Sequence, residues 1–350
     1  MLAAVCHGPR DLRIEPIEGV TPGSGEVLVQ VAFGGICGSD MHYYRNGAVG
    51  DFALREPLVL GHEISGVVAA VGAGVGDLEP GVRAALNPSR PCLTCRYCRE
   101  GRSNLCTDMR FLGSAGCFPH VQGGFVEHLV LRRDQVIPVS SDTDLLALSV
   151  AEPLSVALHA VKRAGDLLGK RVLVTGSGPI GLLTAQAALL SGAAYVVSTD
   201  IEDAALRVAS EQIGVSETVN VRSEPDGLRR FAGEAEQFDV ALEASGSAQA
   251  LHSLFDVVRR GGRIVQLGMM PPGGATLPIG LLQTREIDLV GAFRAHDEFA
   301  LAVDMIISGK IDVSPILSGT YPLSDAVTAF DRAGDRTAVV KLHLAIREYA

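Results

Sequence analysis

The chain of 350 residues is 47% hydrophobic and 20% charged, a length suited to two domains with apolar content enough for their cores, which excludes a disordered protein. Forty acidic against 30 basic residues leave a net charge of −10, which excludes nucleic acid and anionic membrane as partners, since both require a basic face. A small anionic substrate stays admissible, because a few local Arg or His residues outweigh a weak global field. Met1–Arg10 has no basic segment followed by a long apolar run, so no secretion signal is expected. The longest apolar stretch, Val172–Val197, holds Thr175, Ser177, Gln186, Ser191 and five glycines or prolines, which marks strand, turn and helix, not a membrane span. Seven cysteines, four of them clustered, suit a reducing compartment, and a cytoplasmic protein is expected.

In chain order, the first third presents short β-like runs at Glu26–Val31, Glu63–Val71, Val82–Leu86 and Phe125–Leu131, with dense glycine and proline between them. That texture predicts a compact, irregular β-barrel. From about Pro153 strands alternate with helices. Lys170–Thr175 reads as a buried strand, Pro179–Leu190 as a helix with proline in its first turn, Tyr195–Thr199 as a strand and Asp203–Ile213 as a helix. Further strands are expected at Thr218–Val221, Phe238–Ala244, Arg263–Leu267 and Ile287–Ala292. Such alternation implies βαβ crossovers and a parallel sheet, hence an α/β coenzyme domain. From about Phe293 a helix (Asp297–Ile307) and a last strand (Val339–Leu344) are expected.

Three constellations carry chemistry. Cys37, His62, Glu63 and Glu152 offer a thiolate, an imidazole and one or two carboxylates, a donor set for a catalytic Zn²⁺ with one exchangeable position. Such a zinc is a Lewis acid toward an alcohol; Ser39 would take the hydroxyl proton and His42 would pass it to solvent. Each residue also has a plainer reading: Cys37 as a small buried hydrophobe, His62 as a hydrogen-bonded core residue, Glu63 as a partner orienting that histidine. Cys92, Cys95, Cys98 and Cys106, spaced C-x2-C-x2-C-x7-C, suit a closed tetrahedral zinc site of structural role. A redox CxxC pair would explain two of the four and leave the others idle. Gly176-Ser-Gly178-Pro179-Ile180-Gly181 follows an expected strand and opens an expected helix, the setting of a dinucleotide turn. Asp200, ending the next strand, can accept ribose hydroxyls and repel a 2′-phosphate, favouring NAD over NADP; its plainer reading is a helix cap.

Together, Gly61-His62-Glu63, the four-cysteine lobe and Gly176–Gly181, in this order, resemble the zinc-dependent medium-chain dehydrogenase/reductase family of alcohol and polyol dehydrogenases. The resemblance covers nearly the whole chain. It implies a GroES-like catalytic domain at 1–152 with a structural zinc lobe at about 91–107, a Rossmann NAD-binding domain at 153–291, and a C-terminal return at 292–350 that completes the cleft. Cys37, His62 and Glu152 match the family's catalytic-zinc positions, with Glu63 able to join them, and Ser39 and His42 match its proton relay. The resemblance also implies Leu267, Phe293 and Arg294 at the coenzyme, two zinc ions per chain, and a homodimer or homotetramer.

Glutamate at 152, where alcohol dehydrogenases place cysteine, is similar to the sorbitol, xylitol and threonine dehydrogenase branch. The blocks Gly38–Arg45, Thr107–Ala115 and Phe118–Phe125 look like those of the L-idonate-oxidising branch. They imply oxidation of a secondary alcohol of an aldonate, L-idonate at C5, with Tyr43, Arg110, His120 and Arg294 at the substrate and Arg45 as a further cation. A sugar acid fits these groups, since its carboxylate needs a cation and its hydroxyls need polar partners. Arg110 has a plainer reading as a surface partner of Asp108. The alternatives are a neutral polyol of the sorbitol or xylitol type and, from another class, a nucleotide-binding structural or regulatory protein without catalysis. Ala205 departs from the polyol branch, where arginine often helps hold the adenosine ribose.

Overall fold

The ten-residue strand Glu26–Gly35 is the axis of the first half of the molecule, alternating buried valines with half-exposed residues. The computed structural model describes residues 1–270 and 273–347. One unit comprises Met1–Glu152 with Phe299–Asp335 and the return from Lys341; the other comprises Pro153–Glu298 with Arg336–Val340.

In the first unit, one edge of Glu26–Gly35 pairs antiparallel with Glu63–Val71, followed outward by Arg83–Leu86 and Val136–Pro138. Its other edge is shared by His128–Arg132 at the start and Lys341–Ala345 at the end, the latter running parallel to Leu317–Pro322. A smaller sheet joins Leu2–Gly8 to Asp11–Pro16 and Leu58–Val59. Val27, Val29, Val31, Ile64, Val68, Leu86 and Leu131 form the apolar core of this unit. The barrel expectation holds, with boundaries moved: Glu26–Val31 runs on to Gly35, and Val82 precedes the strand Arg83–Leu86. Phe125 and Val126 lie outside the strand His128–Arg132, because Phe125 N donates to Leu60 O (2.9 Å) and Val126 bridges Ala3.

The second unit is a six-stranded parallel sheet. Its spatial order is Glu217–Asn220, Tyr195–Asp200, Arg171–Thr175, Phe238–Glu243, Val258–Gln266, Asp288–Gly291. Numbered in sequence this is 3-2-1-4-5-6, the doubly wound Rossmann order, which reverses direction between the first and fourth strands. Val172–Val174 and Ala241–Leu242 are almost wholly buried, as strands covered on both faces must be. The expected helix Asp203–Ile213 changes pitch: Asp203–Arg207 is α-helical and Val208–Ile213 a π-helix, whose wider turn ends with Val215 N on Ala209 O (3.1 Å). The fifth strand begins five residues earlier than the sequence suggested and accommodates Gly261 (φ 65°) at a register shift.

Candidate active site

Cys37 stands immediately before the helix Gly38–Asn46, and Asp40 locks this junction. One Asp40 oxygen accepts from Cys37 N (2.9 Å) and the other from Gly61 N (3.1 Å), so a fully buried carboxylate ties the helix to the loop carrying His62. Gly61 needs its missing side chain: its φ is +94°, and a Cβ would lie 2.4 Å from the Phe125 ring. Glu63 then opens its strand. The donor atoms of Cys37, His62 and Glu63 lie within 4.8 Å of one another, close enough to share one cation. His62 is buried, its Nδ1 has no hydrogen-bond partner, and Asp40 Oδ1 at 3.8 Å is too far to provide one. Burial disfavours a proton on His62, yet the charges of Asp40, Cys37 and Glu152 raise its proton affinity well above normal. A field that draws a proton to this point draws a metal cation too, and thiolate, imidazole and carboxylate are the donors zinc takes.

Glu152, in the first turn of the helix Ala151–Ala164, lies outside that three-residue cluster, although its charge reaches His62 and Lys341. Lys341 was not singled out from the sequence. It is 2% exposed, forms an ion pair with Glu63, and donates to Ile36 O (3.3 Å), one residue before Cys37. His343, two residues on, is fully buried with neither ring nitrogen paired; burial and then the Lys341 charge push it down to about 3.

Ser39 and His42 occupy positions i and i+3 of the helix Gly38–Asn46, hence neighbouring places on its surface. Ser39 is half-buried and His42 exposed, with Asn46 Nδ2 3.5 Å from His42 Nδ1. Tyr43 is buried, and its hydroxyl accepts from Ala115 N (2.9 Å). His120 is buried too: Nε2 accepts from Arg55 N (2.9 Å), so Nδ1 carries the hydrogen and donates to Cys117 O (2.8 Å). Both nitrogens are thus engaged with main chain, which makes this histidine a clasp of its loop and leaves it no hydrogen bond for a substrate carboxylate. Arg110 is exposed, 3.8 Å from Asp108 and 3.5 Å from Cys117 Sγ. Arg45 is also exposed and lies against Gly334.

The sulfurs of Cys92, Cys95, Cys98 and Cys106 likewise fall within 4.8 Å of one another. A tetrahedron with arms of about 2.3 Å has edges of about 3.8 Å, so the cluster has the dimensions of a four-thiolate zinc site. Backbone N–H groups of the loop point at two of these sulfurs. Cys92 N donates to Cys106 Sγ (3.2 Å), Cys95 N to Cys92 Sγ (3.2 Å) and Asp108 N to Cys106 Sγ (3.4 Å). Backbone N–H groups lower the Cys95 thiol to about 6. Leu93 adopts φ 62° and is exposed, so no apolar core organises the lobe.

In the second unit the glycine turn follows the first strand. Gly176 has φ 86°, and a Cβ on Gly181 would fall 1.7 Å from Gly176 O, so helix and turn touch through glycine alone. Gly178 precedes the helix Pro179–Leu190 with no side-chain cap, and around it a Cβ meets nothing closer than 3.6 Å. The turn therefore leaves room beside an uncapped helix N-terminus, as a bound pyrophosphate requires. Asp200 Oδ2 accepts from Ser177 N (2.6 Å), and Oδ1 accepts from Ile201 N (2.7 Å) and Glu202 N (3.0 Å). Glu243, unnoticed in the sequence, is the hub of the switch point. Its buried carboxylate accepts from Thr175 Oγ1, Ser245 N, Gly246 N and Gln266 Nε2, while Leu267 N donates to its carbonyl (3.0 Å). Arg294 adopts φ 55°, with its guanidinium 4.9 Å from the centre of the exposed Phe293 ring. No helix among the described residues is long and apolar enough to cross a membrane.

Residues 23–141 match the alcohol dehydrogenase GroES-like domain, and residues 179–308 match the zinc-binding dehydrogenase domain. Among curated relatives, L-idonate 5-dehydrogenase (NAD(P)(+)) of Escherichia coli K12 is 42% identical over 319 residues, 91% of each chain. Sorbitol dehydrogenase of Bacillus subtilis is 35% identical over 335 residues, covering 95% of this chain and 93% of its own. The crystal structure of L-idonate 5-dehydrogenase from Escherichia coli K-12 superposes with a TM-score of 0.92 at 39% identity, covering 99% of this chain and 98% of the other.

Proposed function

Because the chain belongs to the zinc-binding alcohol dehydrogenase family, with a GroES-like domain and a Rossmann sheet, we propose that it oxidises a secondary alcohol of a sugar acid, L-idonate at C5, reversibly to 5-keto-D-gluconate. The observation that carries this reading is the Cys37–His62–Glu63 cluster, a set of zinc donors in a family of zinc-binding dehydrogenases. We place the metal on Cys37 and His62, with Glu152 or Glu63 as the carboxylate, and a structural zinc on the four-cysteine lobe. The catalytic domain would be 1–152, the coenzyme domain 153–291 and the return 292–350.

When bound, zinc would polarise the substrate hydroxyl and ease its deprotonation, and the nicotinamide would accept the hydride. Ser39 Oγ takes the hydroxyl proton, and His42, exposed one helical turn further on, releases it to solvent. The alcohol carbon thereby loses a hydride and its oxygen a proton, which leaves the ketone. Asp200 supports NAD over NADP, since a 2′-phosphate beside its carboxylate meets like charge. Arg110 and Arg294 are the cations assigned to the substrate carboxylate. A homodimer or homotetramer is the expected assembly.

A neutral polyol is the second reading, favoured by the 35% identity to a sorbitol dehydrogenase. The test is reduced-coenzyme production from L-idonate and from sorbitol, with NAD and with NADP, by zinc-replete protein and by Cys37→Ala. Strong preference for L-idonate with NAD, and loss of turnover in Cys37→Ala with coenzyme binding retained, are expected. Preference for sorbitol replaces the substrate and keeps the mechanism. Undiminished turnover in Cys37→Ala removes the mechanism.

A further inference from the structure

One more buried carboxylate, Glu298, lies outside both the metal cluster and the glycine turn. It opens the helix Glu298–Ile307, yet its side chain is only 3% exposed. Oε2 accepts from His296 N (2.7 Å), while Oε1 faces His159 Nδ1 at 3.2 Å and the Lys162 ammonium at 3.1 Å. An ionised carboxylate only accepts, so His159 Nδ1 carries the hydrogen and donates it. Burial by itself would raise the proton affinity of Glu298, but His159, the His296 N–H and Lys162 together hold it far below the ordinary carboxylate range. A helix cap needs only the N–H. The imidazole and the ammonium come from another element, the helix Ala151–Ala164.

That same helix holds the near end of the stretch. Arg163 Nε donates to Gly291 O (3.0 Å), and Ala292 N donates to Gln266 O (2.9 Å) where the strand Asp288–Gly291 stops. His159, Lys162 and Arg163 stand at i, i+3 and i+4, on one face of Ala151–Ala164. Residues 292–297 are therefore a short span between two anchors, and Glu298 supplies the second. The span leaves the carboxyl end of a parallel strand, the side on which open α/β sheets bind their ligands. Within it Arg294 adopts φ 55°, a left-handed conformation that a residue with a side chain keeps only when its surroundings fix it.

We propose that Glu298 is a positioning residue: clamped by His159 and Lys162, it fixes the span that carries Arg294 and so sets where this guanidinium meets the carboxylate of a sugar-acid substrate. The inference rests on the assignment of Arg294 to that carboxylate, and goes beyond it by naming what holds the arginine in place.

The test uses full-length, zinc-replete protein and two readouts: tryptic cleavage after Arg294, followed by mass spectrometry, and steady-state kinetics with L-idonate. Cleavage needs no substrate and reads the clamp alone. Glu298→Gln keeps an acceptor for His296 N and removes the charge. It is expected to speed cleavage after Arg294 about 10-fold, the scale of one lost hydrogen bond to a charged group. In the kinetics, Arg294→Ala and Glu298→Gln should each raise KM for L-idonate by about 10- to 100-fold while kcat holds, and the double variant should be no worse than Arg294→Ala. His159→Leu should reproduce Glu298→Gln. His159→Asn, whose amide N–H can stand in for Nδ1–H, should restore both readouts. Wild-type cleavage in Glu298→Gln, or a KM penalty added in full on top of Arg294→Ala, overturns the proposal and leaves the substrate assignment standing. A wild-type KM in Arg294→Ala, or no turnover of L-idonate at all, removes the substrate assignment and this proposal with it; the cleavage rates tell that failure from failure of the clamp. Should Glu298→Gln not fold, His159→Leu carries the same test from the other side of the bond.

Discussion

Asp200 ends its strand with three backbone N–H groups on its carboxylate, one of them from the middle of the glycine turn. The helix-cap reading does not hold, because Glu202 stands at the N-cap of Asp203–Arg207; the carboxylate instead ties the glycine turn to the strand end, and those bonds fix where its charge lies. Asp200→Ala should cost about 1–3 kcal/mol, since buried N–H groups lose their acceptor. It should also narrow the difference between NADH and NADPH affinities, as measured by fluorescence titration alongside denaturant unfolding. Asp200→Asn separates the effects, retaining an acceptor but not the charge.

Residue-scale legibility was uneven for a physical reason. That Cys37, His62 and Glu63 come together could be anticipated, because residue types able to hold a metal recur at recognisable spacings. Lys341 and His343 were missed because their alternation with Leu342 and Leu344 looks like a strand with one wet face. Both are buried instead, since the face they occupy is covered by Glu63 and its surroundings. A lysine and a histidine two apart in a strand otherwise apolar was the available signal. Asp40 was equally visible, three residues after Cys37, but its partner Gly61 N is remote in sequence.

At the scale of elements, the strand–turn–helix around Gly176–Gly181 makes two glycines do different things. Gly181→Ala drives a Cβ into the Gly176 carbonyl, and neither backbone can yield without breaking the turn. It should destabilise the protein by about 1–3 kcal/mol or more and abolish coenzyme binding. Gly178→Ala makes only an ordinary contact with the Arg336 guanidinium at 3.6 Å, so its melting temperature should match wild type while coenzyme affinity falls. Thermal melts paired with NADH titrations check the contrast; equal destabilisation by both would deny Gly178 any role beyond the turn. The elements themselves were largely legible, because parallel strands buried on both faces give continuous apolar runs. The π-helical segment Val208–Ile213 was not, since periodicity does not distinguish a pitch change over six residues.

For the whole molecule, the order of the chain and the order of the sheet disagree. Lys341–Ala345, buried throughout, pairs on both sides within the first unit, and one of its two partners, Glu26–Gly35, lies more than 300 residues earlier. Removing residues 341–350 should unfold the first unit and leave the parallel sheet protease-resistant, as limited proteolysis with mass spectrometry would show. The alternation of strands and helices announced the parallel sheet from sequence, whereas nothing local could announce that the last strand would pair with one of the earliest.

That crossing has a consequence for how the protein is made. Domains emerging from the ribosome ordinarily fold in the order of their synthesis. Here the parallel sheet, drawn mainly from one continuous stretch, can close while the tunnel still holds the tail. The segment bearing Cys37 and His62 must wait, its sheet open along one edge, until Lys341–Ala345 has emerged. A nascent chain stalled short of Lys341 would thus carry a finished parallel sheet and an unfinished Cys37–His62–Glu63 cluster.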